Sequence, residues 1–91
     1  MLAAAGINVT MPVHAATQEM CFADWSTALP IVQREILTPV RDLHIQVRRR
    51  NIGDLVRITL CTEGDRYIYR LLLREPTGNV AAIIVDARKP F

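Results

Sequence analysis

The sequence predicts a small α+β domain with two short helices packed on a three-stranded antiparallel β-meander. Three observations lead there. Apolar residues recur at helical spacing through two segments in the middle of the chain. Three runs rich in branched and aromatic residues follow, with side chains alternating in character. Two short links, each containing a glycine, join those runs as tight turns. Ninety-one residues, 51% hydrophobic and 22% charged, make one globular domain rather than a disordered chain.

The first sixteen residues, "MLAAAGINVTMPVHAA", carry no Lys, Arg or acid. Small and apolar residues lead into Val13-His14-Ala15, similar to the small-residue site at which secretory signals are cleaved. A positive start is missing, and Asn8, Thr10 and Pro12 interrupt the apolar run. The segment reads either as a signal-peptide remnant or as a disordered arm, with the folded domain over 17–91. No run approaches the roughly 20 apolar residues of a membrane span. A signal would place the domain in the periplasm or outside the cell.

Residues 17–22 are polar and carry Cys21. Asp24 or Ser26 can cap a helix predicted over 27–37, with Pro30 near its first turn. Leu29, Val32, Ile36 and Leu37 form its apolar positions, and Trp25 precedes them as a staple onto the core. Thr38 and Pro39 then read as N-cap and first residue of a second helix. Val40, Leu43 and Val47 are its stripe, and Ile45 lies off it. Arg48, Arg49 and Arg50 complement the dipole at its last turn, and Asn51 and Gly53 end it.

The strands are predicted over 54–61, 66–75 and 80–87. Val56, Ile58 and Leu60 share one face of the first. In the second, Tyr67, Tyr69, Leu71 and Leu73 alternate with Ile68, Arg70, Leu72 and Arg74. Gly78 takes the positive-φ position of the second turn. With the tyrosine series facing the helices, the other side of the sheet stays open. Ile68, Arg70, Leu72 and Ile84 are its candidate partner-binding residues, with Leu55, Arg57 and Arg74 among them. Apolar residues mixed with arginines suit a protein interface. The last strand presents a free edge that suits an extended peptide.

Chemistry-bearing residues are sparse. Ser26 has no nucleophile-elbow setting and no base beside it. His14 falls in the leader segment and His44 flanks a helix stripe. The acids form no pair that sequence marks as an acid/base couple. Two Cys and two His without close spacing do not make a metal site. No glycine-rich phosphate loop is present. The reading is therefore not an enzyme, with no catalytic residues, no metal and no cofactor. A net charge of +2 with 5% aromatic residues argues against a nucleic-acid partner, despite the arginine run. Cys21 and Cys61 have neither the electropositive nor the Cys-x-x-Cys setting of reactive thiols. They are predicted to form a disulfide in an exported chain, closing a loop of roughly 40 residues and stabilising the fold by about 4 kcal/mol.

The order of motifs from 21 to 91 resembles the PepSY family. Gly53 opens the first long strand, Tyr67 and Tyr69 lie in the second, and Gly78 turns into a strand ending Val85-Asp86-Ala87. Cys21, Asp24 and Trp25, with Leu60-Cys61, are similar to features of small exported PepSY-like proteins of alphaproteobacteria. The family's usual Gly after Asp-Ala-x is replaced here by Arg88-Lys89-Pro90-Phe91. The resemblance implies a non-enzymatic, exported binding or regulatory module that restrains a peptidase or binds an envelope protein, with Asp86 a polar anchor at the strand end. The other reading is a structural protein that homodimerises through the open sheet face.

Overall fold

A computed structural model describes residues 19–91, so the candidate leader at 1–16 lies outside the described residues. The order is β1 (Glu19–Cys21), α1 (Trp25–Arg34), α2 (Val40–Arg50), β2 (Asp54–Glu63), β3 (Arg66–Arg74) and β4 (Val80–Asp86). The sheet is antiparallel with strand order β1-β2-β3-β4. The α+β class and both helices match the sequence reading, but the sheet has four strands, not three. The extra strand is the segment that carries Cys21. Its three residues are too few to display an alternating pattern. It exists because it pairs with the far end of β2, with Cys21 directly opposite Cys61.

Helix α1 begins two residues earlier than predicted, because Asp24 is the cap and accepts from the Ser26 backbone N–H. That hydrogen bond holds the Asp24 carboxyl below its usual range. The earlier start brings Ala28, Ile31 and Val32 to the core and leaves Leu29 exposed. Pro30 consequently sits inside the helix rather than in its first turn. The helix ends in a Schellman arrangement: the Leu37 N–H reaches the Val32 carbonyl and the Ile36 N–H the Gln33 carbonyl. Ile36 occupies the left-handed position of this cap (φ 54°) and is 83% exposed, not part of the apolar stripe.

Thr38 does not cap α2 with its side chain; Pro39 holds the N-cap position and makes no side-chain cap bond. Thr38 instead ties the link between the helices to the sheet. Its N–H donates to the Ala87 carbonyl, and its own carbonyl accepts from the Tyr69 hydroxyl at 2.7 Å. Leu43 and Val47 face the core as expected, and Asn51 closes the helix in the left-handed conformation. Gly53 is required: at φ 135° a Cβ there would lie 2.7 Å from the Arg74 carbonyl oxygen. Gly78 takes the expected positive φ in the β3–β4 turn.

The pairing of β2 with β3 shifts between Leu55 and Arg57. This bulge reverses two expectations. Leu55, read as part of the open face, packs against the core, while Val56, read as a core neighbour of Ile58, is 48% exposed. The helices cover one face only. Beneath them lie Ile58, Leu60, Tyr69, Leu71 and Leu73, with Trp25 and Tyr67 at the margin. The Trp25 indole N–H donates to the Ile58 carbonyl, holding α1 against β2 where β1 has ended. No described helix is long and apolar enough to cross a membrane.

Candidate interaction face

Strand register arranges the uncovered face in rows. The outermost holds Glu19, Glu63 and Arg66; the next holds Cys21, Cys61, Ile68 and Asp86. Then come Thr59, Arg70 and Ile84, next Arg57, Leu72 and Ala82, and finally Asp54, Arg74 and Val80. All four predicted contact residues, Ile68, Arg70, Leu72 and Ile84, therefore share this face.

They do not share an environment. Cys21 and Cys61 form the predicted disulfide. Arg70 pairs with Glu19, two strands away. In the rows, that ion pair runs diagonally from the third to the first, so it passes over Cys61. The Glu19 carboxylate does lie within 4.8 Å of the Cys21 and Cys61 sulfurs. Arg66 links Glu63 at 2.9 Å and reaches Asp86 at 3.8 Å, closing the far side. Ile68 is ringed by the bridge, these ion pairs and Asp86, and both Ile68 and Cys61 are 0% exposed. Ile68 is thus a buried residue under a charged lid, not an available contact. The other three remain accessible: Arg70 is exposed, Leu72 half-buried and Ile84 53% exposed. Val80, at 56%, extends the apolar strip to the edge of the sheet. Arg57 and Arg74 flank it, and neither forms an ion pair among the described residues. The accessible part of the face is an apolar strip bordered by cations, displaced towards the β4 edge.

Sequence reasoning missed the lid because its members are far apart; Glu19 and Arg70 are 51 residues apart. It also missed Val80, which was read only as the start of a strand.

The remaining candidates are placed as follows. Glu19, Cys21 and Cys61 converge, but the two sulfurs are joined to each other and offer no thiolate to a metal. Ser26 is exposed and spends its N–H on Asp24. His44 is exposed on α2. Of the arginine run, Arg49 and Arg50 line a cleft of about 510 Å³ with Arg88 and Lys89. Two of these cations are engaged: Arg88 with the Glu35 carbonyl and carboxylate, and Arg50 with the Phe91 ring, 4.7 Å from its centre. Asp86 is a strand-end anchor, its Oδ1 accepting from the Arg88 N–H at 2.7 Å and the Lys89 N–H at 3.3 Å.

Comparison with family models, with curated proteins and with solved structures returned no match.

Proposed function

We propose that the chain is a non-enzymatic binding or regulatory module, exported to the periplasm or beyond, whose partner is a protein. The observation that carries this reading is the asymmetry of the sheet. One face is filled by two helices, whereas the other exposes Leu72, Ile84 and Val80 between Arg57, Arg70 and Arg74. Such a surface fits a partner with apolar side chains flanked by carboxylates: the strip supplies affinity and the cations set orientation. The Cys21–Cys61 bridge supports an oxidising compartment. The resemblance to PepSY domains supports a peptidase or an envelope protein as the partner class.

The test is Leu72→Asp. Leu72 is half-buried with no helix above it, so the substitution is expected to leave the melting temperature within a few degrees of the parent. Capture of a partner from an envelope fraction by the immobilised domain is expected to fall at least tenfold. Global unfolding of the variant would make this face core. Capture at the parental level by a folded variant would move the binding site off it. Peptide hydrolysis by the purified chain would overturn the non-enzymatic assignment.

A further inference from the structure

The two edges of the sheet are built differently, and the difference points to a second surface. On the β2 side, β1 covers only the last three residues of β2. Beyond it, the Phe22 N–H bonds the Leu60 carbonyl and the Trp25 indole bonds the Ile58 carbonyl. The bulge at Val56 and the exposed Arg57 interrupt the remainder. Short edge strands, plugs, bulges and charges are the standard means of keeping a strand edge from pairing. The β4 edge carries one charge, Asp86 at its end, and no plug or bulge among the described residues. Seven residues, Val-Ala-Ala-Ile-Ile-Val-Asp, run without bulge, proline or lysine, and no strand pairs with their outer side among the described residues.

Which backbone groups point outwards follows from the ladder. The Ala87 N–H donates to the Tyr67 carbonyl, so the odd-numbered residues of β4 face β3. The N–H and C=O groups of Val80, Ala82, Ile84 and Asp86 therefore project from the edge.

We infer that β4 pairs antiparallel with β4 of a second copy of this chain, about a two-fold axis through Ile83. In that register Val80 meets Asp86 of the other copy and Ala82 meets Ile84, so every outward group is matched and about eight hydrogen bonds form. Charge complementarity selects a second copy over an unrelated extended peptide. Asp86, 3.8 Å from Arg66 of its own copy, is the only acid in β4, at one end; Arg74 neighbours Val80 at the other end, opposite Asp54 of β2 but in no ion pair among the described residues. The two-fold brings Asp86 of each copy into the same row as Arg74 of the other, two strands away, or roughly 10 Å between backbones, within reach of an arginine side chain. The side chains of Val80, Ala82 and Ile84 all lie on the open face. Pairing joins the two open faces into one continuous surface on an eight-stranded sheet.

Light scattering and hydrogen exchange on the oxidised chain test this. The expected result is a dimer at high concentration, with the Ala82 and Ile84 amides gaining protection from exchange as concentration rises. The Ile83 and Val85 amides, already bonded to β3, are expected to be protected throughout. Ala82→Pro removes an outward N–H and leaves the β3 ladder intact, so it is expected to yield a folded monomer. Should that variant not fold, Arg74→Glu serves, and is expected to weaken dimerisation at least tenfold. A parent chain that stays monomeric at millimolar concentration overturns the inference. So does a dimer whose Ala82 and Ile84 amides exchange at the monomer's rate, since it forms elsewhere. Protection of those amides only on adding an unrelated extended peptide overturns the choice of occupant. All of these readouts concern the edge backbone and are independent of the Leu72→Asp result.

Discussion

On the helix-covered face, Tyr69, Leu71 and Leu73 lose nearly all solvent exposure under apolar side chains from α1 and α2. On the opposite face, Ile68 and Cys61 lose all of theirs with no helix above them among the described residues. The first burial is by packing and draws on the hydrophobic effect over a broad contact. The second is by a small lid, made of one disulfide and the aliphatic stems of charged side chains whose heads pair above it. An open sheet face is therefore not uniformly available. The lid closes the end near β1, and the apolar strip remains only towards β4.

The largest expected effect tests the covered face. Tyr69→Ala removes a fully buried ring and is expected to destabilise the domain by about 3–5 kcal/mol in urea denaturation. A loss below about 1 kcal/mol would mean that the helices do not pack there. The same residue predicts a pH dependence. Burial raises the Tyr69 hydroxyl from 10.0 to about 12, so the folded state holds this proton more tightly than the unfolded chain. Its contribution is full below pH 10 and is lost as pH rises towards 12. An ionised Tyr69 also has no proton to donate to the Thr38 carbonyl. Tyr69→Phe is expected to remove this alkaline component from the stability profile. An unchanged profile would assign it to another group.

The bridge comes next. Oxidised protein is expected to contain no titratable thiol, because both cysteines are joined. Reduction is expected to lower stability by up to about 4 kcal/mol on the chain-entropy account. It is also expected to loosen β1, which is otherwise held by its three-residue ladder with β2, the Thr62 hydroxyl on the Met20 carbonyl and the Glu19–Arg70 pair. The measurement is the urea midpoint with and without reductant, with exchange at Met20 as the local probe. If reduction leaves both unchanged, the lid does not depend on the bridge.

These two predictions differ in how far the sequence alone supports them. The alternation of β3 is legible because nine residues carry a period of two and the tyrosines mark one side. The turns at Gly64 and Gly78 and the end of α2 at Asn51 carry local signals, and they fall where those signals put them. The strand at Glu19 has no local signal, since three residues form a strand only because Cys61 and Thr62 lie opposite. The bulge beside Val56 is equally silent, and it is what exchanges Val56 with Leu55. At the candidate site, parity correctly groups Ile68 with Leu72. It cannot separate them, because their difference in burial comes from Cys21 and Glu19 on β1 and Asp86 on β4. The dominant influence on Ile68 is thus non-local, whereas that on Leu72 is its own strand.

The smallest expected effect examines the lid itself. Arg70→Ala breaks the pair with Glu19, whose partners keep 43% and 30% of their side-chain exposure. Exposed pairs of this kind contribute at most about 1 kcal/mol, so the total loss is expected to stay below that. Part of it is packing, because the arginine stem covers apolar surface and its removal admits water towards Ile68. The electrostatic part is separable. High salt is expected to weaken the parent more than Arg70→Ala, since the remaining ion pairs are screened in both and only the parent has the Glu19–Arg70 pair to lose. A loss as large as that of Tyr69→Ala would have a different meaning. A one-residue slip of β3 exchanges its faces, and only then does Arg70 become a core position. A small, partly salt-insensitive loss is the result that holds the two modes of burial apart. Side chains packed under helices set the stability of the domain, while the lid governs which part of the open face a partner can reach.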